Sequence, residues 1–237
     1  MRNYYVILFF IIVCTSCDDK IASLEMLNKE PKIEYFSKKT TNWTNVNGTI
    51  IDTAKVHNQN NNANYVISLR SKDNNNNFEY IDISTEQDGG EFFLNDERFI
   101  NQKRVKIDSF SLAYRYYKSD IRKFTISSTD DFGKQKNINF QITFIDNIKP
   151  TAKFEIRKES DEGIIQHTID AEFSIDGDQK YGGYITNYEF NIDGVIINSS
   201  LPYLKHVFSI GNHQISLRVQ DNDHQWSEQY SKSILIK

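Results

Sequence analysis

Apolar and polar residues alternate strictly over several stretches of this chain. Phe110, Leu112, Tyr114 and Tyr116 are separated by Ser111, Ala113 and Arg115. Ile138, Phe140, Ile142 and Phe144 are separated by Asn139, Gln141 and Thr143. The same period returns at Tyr188, Phe190 and Ile192, and at Ile215, Leu217 and Val219. A period of two sends alternate side chains to opposite faces of a strand, one buried and one in water. That is the half-buried strand of an antiparallel sheet with one solvated face. No stretch after the first twenty residues keeps a 3.6-residue period, so the pattern predicts an all-β protein. The breaks are Asn-rich, at residues 58–64 and 73–77. Asn tolerates left-handed backbone angles and bonds its own main chain, so these runs predict loop tips.

The strands fall into two similar blocks. One ends with a strand from Phe124, an acidic turn at Asp130-Asp131-Phe132-Gly133 and a strand closing at Phe144. The other ends with a strand from Ile215, an acidic turn at Asp221-Asn222-Asp223-His224 and a strand closing at Ile236. A sandwich of the immunoglobulin class finishes with such a hairpin and spans about 100 residues. The pattern therefore predicts two tandem immunoglobulin-like β-sandwiches, over residues 31–147 and 148–237, with Asp146-Asn147-Ile148-Lys149-Pro150 as the link.

The start of the chain obeys different rules. Arg2 precedes an unbroken apolar run from Val6 to Val13, then Cys14-Thr15-Ser16-Cys17, then Asp18-Asp19. A cation, a short apolar run and small residues are the layout of an export signal. Tyr4 to Cys14 is only eleven residues, against the roughly 20 that cross a bilayer as a helix. Cys14-Thr15-Ser16-Cys17 resembles the lipobox of bacterial lipoproteins, with Cys14 where that family usually has Leu. The resemblance implies a signal peptide over 1–16, acylation of Cys17, a lipidated tether over 17–30 and a place on the bacterial outer membrane, on its periplasmic or cell-surface side. Acidic residues directly after the cysteine are similar to a surface-export signal of some Bacteroidetes lipoproteins.

Composition narrows the function. Both cysteines lie in the leader, so the mature chain has no disulfide and must be held by its core. Removing the leader takes away Arg2 and no carboxylate, leaving 27 Lys and Arg against 32 Asp and Glu. A mildly acidic body has no electrostatic reason to bind nucleic acid. The five histidines (His57, His167, His206, His213, His224) are scattered, with no zinc-binding spacing, no phosphate loop and no nucleophile elbow. The sequence predicts neither a catalytic residue nor a cofactor, and no enzyme.

Two finer readings concern side chains in turns. Asp176 and Asp178 with Asp193, or Asp221 with Asp223, would supply oxygen ligands for calcium; holding turns through backbone N–H groups is the simpler role for them, and no metal site is predicted. Trp43 and Trp226 would serve as stacking platforms for a glycan, or as core packing.

Residues 150–237 resemble the PKD domain, an immunoglobulin-like module of bacterial surface proteins. The matching residues are Ile169-Asp170-Ala171, Ser174 to Asp178, Ile185 to Gly194, Pro202-Tyr203, Phe208, Gly211 and Ile215 to Asp221. Phe190 stands where that family usually has Trp. Residues 78–144 resemble TraQ-type conjugal transfer proteins of Bacteroidetes mobile elements, through Asp88-Gly-Gly-Glu, Leu94-Asn-Asp, Phe110 to Tyr114 and Asp130 to Gly133. The PKD resemblance implies a spacer or interaction module without catalysis. Three functions follow as expectations: a surface interaction or structural module, an accessory of conjugative transfer or envelope assembly, and a glycan-binding protein.

Overall fold

A computed structural model describes residues 26–37, 42–59, 62–161 and 164–237. Cys14, Cys17 and the whole leader lie outside the described residues. The strands are β1 (Lys32–Ser37), β2 (Thr44–Asn45), β3 (Gly48–Lys55), β4 (Tyr65–Lys72), β5 (Phe78–Ser84), β6 (Glu91–Leu94), β7 (Glu97–Phe99), β8 (Gln102–Val105) and β9 (Ser109–Arg115). They continue as β10 (Asp120–Asp130), β11 (Gln135–Ile145), β12 (Glu155–Asp161), β13 (Ile164–Asp170), β14 (Ile185–Ile192), β15 (Val195–Ser199), β16 (Tyr203–His206), β17 (Gly211–Asp221) and β18 (Tyr230–Ile236).

The first sandwich faces a sheet ordered β2-β1-β4-β9-β6-β7 against one ordered β3-β11-β10-β5-β8. Its core takes side chains from both: Ile33, Ile67, Leu69 and Leu112 from one, Ile81, Ile126, Ile138 and Phe140 from the other. Phe124 stacks on Phe140 at 4.6 Å between centroids, and Phe92 meets Tyr114 at 4.5 Å. The chain changes sheets before β3, entering it at Gly48, whose φ of +99° suits glycine. β3 then runs parallel to β11, so Lys55, its last residue, stands opposite Ile145, the last residue of β11. This register delivers Lys55 to the end of the sandwich from which the link departs.

The second sandwich faces β12-β13-β16 against β15-β14-β17-β18. Phe154, Ile169, Phe190, Ile215, Leu217 and Val219 fill its separate core. Two facing sheets around one core, twice in succession, are tandem immunoglobulin-like β-sandwiches. The alternating residues lie where the period of two places them: Leu112, Ile138, Ile142, Phe190, Leu217 and Val219 are all buried.

The two sandwiches meet end to end. In β10 and β11, Asp130 and Gln135 lie at one end and Asp120 and Ile145 at the other. In β17 and β18, Asp221 lies at the end near the link, whereas Gly211 and Ile236 pair at the far end. Asn28 donates from Nδ2 to Asp130 Oδ2 at 2.6 Å, and Lys29 N–H donates to Asn75 at 3.0 Å. Residues from Asn28 onward are therefore fastened to the first sandwich.

Candidate functional site

The described residues carry two places where chemistry gathers: the junction between the sandwiches and the far end of the second one.

At the junction, four carboxylates are buried on the second sandwich: Asp176, Asp178, Asp221 and Asp223, none more than 5 % exposed. Asp221 ends β17 and holds the hairpin turn, its Oδ1 accepting the N–H groups of Asp223 at 2.9 Å and Gln225 at 2.8 Å. Its Oδ2 accepts from Asn147 Nδ2 at 2.7 Å, which ties the link to the turn. Asp178 Oδ2 accepts the N–H of Ile148 at 3.1 Å, a second tie to the link. Asp176 Oδ1 accepts the N–H of Asp178 at 3.3 Å. The loop between β13 and β14 turns tightly over these groups at Gly183, where a Cβ would lie 1.7 Å from Asp178 Oδ1 and 2.6 Å from Asp176 Oδ2.

One cation enters this cluster, and it comes from the other sandwich. Lys55 Nζ donates to Asp178 Oδ1 at 3.2 Å, to Asn147 Oδ1 at 3.0 Å and to Asp223 Oδ2. Its side chain is 4 % exposed. Burial by itself would lower the pKa of Lys55, but the bonds to Asp223 and Asp178 outweigh it and hold the ammonium above its ordinary value. Asp176 is left out of this pairing. Its Oδ2 is buried without a hydrogen-bond partner. Burial, then the charges of Asp178 and Asp221, push its carboxyl up to about 6. A buried charge costs free energy unless it is paired, so the cluster relieves its excess charge most readily by protonating Asp176. Beside Lys55 an open cleft of about 650 Å³ separates Asp52–Lys55 and Asn62–Val66 from Lys180–Gly182 and Asn222.

This geometry decides between the two roles considered for the carboxylates. Asp193 does not join Asp176 and Asp178, because β14 runs the length of the sandwich between them; eight residues at about 3.3 Å each separate the two ends. Asp193 instead pairs with His213 Nδ1 at 2.6 Å and accepts the N–H of Gln214 at 2.8 Å. Asp193 thus lies at the other end of β14 from Asp176 and Asp178 and fastens its turn to β17, while Asp221 holds its own turn. Among the described residues, no group of three or more His, Cys, Asp or Glu is placed to hold a metal ion.

The two tryptophans lie outside both cores. Trp43 and Trp226 are both half-buried. The guanidinium of Arg70 lies 4.3 Å from the ring of Trp43, and that of Arg218 lies 4.5 Å from Trp226. Each arginine stacks on one face of its ring by a cation–π contact. The histidines are also less uniform than a set of surface imidazoles. His167 is buried, with Nδ1 unpartnered, and packs edge-on against Phe208 at 5.4 Å.

At the end opposite the junction, large aliphatic side chains stand in water. Val195 is 64 % exposed, Val207 55 %, Ile210 84 % and Leu235 57 %. The register of β17 with β18 brings Leu235 and Ile236 beside Gly211 and Asn212, immediately after Ile210. Exposed apolar side chains gathered at one end mark a contact surface.

Sequence reasoning matched the turns at Asp130 and Asp221 but missed Asn28, Asn147 and Lys55. A signal for the first two exists in Asn28-Lys-Glu-Pro31 and Asn147-Ile-Lys-Pro150, the same Asn-x-x-Pro entry into each sandwich. Lys55 carries no such signal, since its carboxylate partners lie 123 and 168 residues away.

Comparisons with known proteins add little to this picture. No family model matches the chain, and no curated protein matches it. Among solved structures it is similar to the fibronectin(III)-like modules of Clostridium thermocellum CbhA, with 16 % identity, 86 % of this chain and 94 % of that chain covered, and a TM-score of 0.31. It is similar to titin domains A168–A170, with 10 % identity, 86 % and 66 % covered, and a TM-score of 0.35. It is also similar to SGBP-B of the Bacteroides ovatus mixed-linkage glucan utilization locus, with 13 % identity, 89 % and 48 % covered, and a TM-score of 0.25. Likeness this distant transfers no function, and the chain is described by its own two sandwiches and the buried ion pair between them.

Proposed function

We propose that this chain is a lipid-anchored extracytoplasmic module of the bacterial outer membrane that works by contact and not by turnover. The leader supports the anchor: Arg2, the apolar run to Val13 and the lipobox-like Cys14-Thr15-Ser16-Cys17 direct acylation to Cys17. Acyl chains on that residue hold a protein at a membrane without a spanning helix. The single observation that carries the contact reading is the far end of the second sandwich, where Val195, Val207, Ile210 and Leu235 are each more than half exposed.

The chemistry of that end favours a protein partner over a glycan. Branched aliphatic side chains fill apolar pockets, whereas sugars stack on aromatic faces, and Val195, Val207, Ile210 and Leu235 are all aliphatic. The Lys55 ion pair supports the same reading, because a rigid joint holds the contact end away from the membrane.

Cross-linking in live cells tests this. The wild-type chain is expected to capture a defined protein partner, and the Val195→Ser, Ile210→Ser, Leu235→Ser triple variant to lose it while folding normally. Equal capture by both chains would retire the far end as the contact surface. Protease applied to intact cells then reports which side of the outer membrane the module faces.

A further inference from the structure

The two sandwiches carry the same hydrogen-bonded corner at corresponding ends. In the second, Asn147 bonds Asp221, and Asp221 Oδ1 receives the N–H groups two and four residues on, those of Asp223 and Gln225. In the first, Asn28 bonds Asp130, and Asp130 Oδ1 receives the N–H groups of Phe132 at 2.9 Å and Lys134 at 2.8 Å, again two and four residues on. The corner of the second sandwich is covered by the first. Among the described residues nothing covers the corner of the first, and its side chains differ in kind.

Where the second sandwich places Asp223, the first places Phe132, 39 % exposed. Just before Asn28 stand Met26, 83 % exposed, and Leu27, 72 % exposed. The neighbouring loop tip, Asn74 to Asn76, is exposed and uncharged, and Lys136 pairs with Glu30 at 3.1 Å. Met26, Leu27 and Phe132 thus stand exposed together at this end, among the amides of Asn74 to Asn76, the exposed charges of opposite sign on Lys29 and Asp131, and the Lys136–Glu30 pair.

We propose that this end is a lipid-contact face, with Met26, Leu27 and Phe132 resting on the bilayer that holds Cys17. The inference rests on the anchored reading above. Met26 lies nine positions after Cys17, and even a fully extended chain over that span reaches only about 30 Å. This end is thus the part of the body that the anchor keeps nearest the lipid. Apolar residues flanked by amides and charges lie at an interface, where they exchange water for acyl chains and leave the polar and charged tips hydrated.

The test uses the full acylated protein, floated with vesicles of phosphatidylethanolamine and phosphatidylglycerol. Both cysteines lie at or before residue 17, so an Asn74→Cys variant takes a fluorophore at a single site. The label at 74 is expected to be quenched at least twofold by spin-labelled lipid, and the same label in Ile210→Cys, at the far end, to be unaffected. Adding Leu27→Ser and Phe132→Ser to the Asn74→Cys chain is expected to bring its quenching down to the level at 210 with an unchanged unfolding temperature. A protein that floats with the vesicles but shows equal quenching at 74 and 210 would overturn the lipid-contact face and leave the anchor standing. A protein that does not float at all would overturn the anchor, and the lipid-contact face with it.

Discussion

The corner at Asn147 and Asp221 and the corner at Asn28 and Asp130 are built alike and meet opposite surroundings. Each uses an asparagine from the incoming chain to bond a buried aspartate, which in turn holds the last hairpin of its sandwich. In the second sandwich the corner is acidic and takes in Lys55 from its neighbour. In the first no described residue of the other sandwich covers it, and Phe132 stands where the other has Asp223. The shared frame is what each sandwich needs in order to close its hairpin and fix its entering strand. The residue two positions past the aspartate, which the frame leaves free, chooses the partner. Architecture and partner choice are thus carried by different side chains of one turn.

The comparison breaks most severely at Lys55. Lys55→Met leaves Asp178 and Asp223 buried without their ammonium. Removing one partner of a buried pair costs roughly 3–5 kcal/mol. The second corner should then behave like the first, and calorimetry should resolve two separate unfolding transitions where wild type shows coupled ones.

Asp176 gives the next largest effect, with the opposite sign. Its carboxyl is pushed up to about 6 from an ordinary value of 3.8. The folded state therefore holds a proton that the unfolded chain releases, and stability falls as pH rises from about 4 to about 6. Wild type should unfold at higher temperature at pH 5 than at pH 7. Asp176→Asn should remove that dependence and stabilise the protein at pH 7 by about 2 kcal/mol, at 1.36 kcal/mol per pKa unit less an allowance for relaxation. A variant that is less stable than wild type at pH 7 would show that Asp176 is paired in solution.

The two asparagines sharpen the comparison. Asn28→Ala takes one donor from a buried carboxylate and should cost about 1 kcal/mol; Asn147→Ala also removes an acceptor from Lys55 and should cost about 2 kcal/mol. Urea titrations of both variants measure the difference, and an Asn147→Ala cost no greater than that of Asn28→Ala would mean that the bond to Lys55 is worth no more than the bond of Asn28 to Asn77. The smallest effect belongs to the residue that distinguishes the corners. Phe132→Asp gives the first corner the acid of the second, at a partly exposed site. Its stability should stay within about 0.5 kcal/mol of wild type, because without a cation from a neighbour the new carboxylate simply points into water.

Much of this was legible in the residues. The period of two located β9, β11, β14 and β17, because burial of one sheet face imposes that period directly. Asp130 and Asp221 were legible as matched turn residues because an aspartate that bonds its own following N–H groups acts locally. The shared Asn-x-x-Pro entry was equally present, at residues 28–31 and 147–150, yet its meaning depends on a partner 102 residues away in one case and 74 in the other. Trp43 could not be placed from the sequence, since Arg70, stacked on it, comes from β4 across the sheet, whereas Arg218 reaches Trp226 from within the same hairpin.

Sequence alone determined the all-β class of fold and its division into two units, because strand period and turn chemistry are written within a few residues of one another. Only the tertiary structure decided that Lys55 is buried among the carboxylates of the other sandwich, that Asp193 lies far from Asp176, and that the neighbouring sandwich covers one corner and not its twin. Those outcomes depend on which strand ends meet, and the parallel register of β3 on β11, not any local pattern, carries Lys55 to the junction.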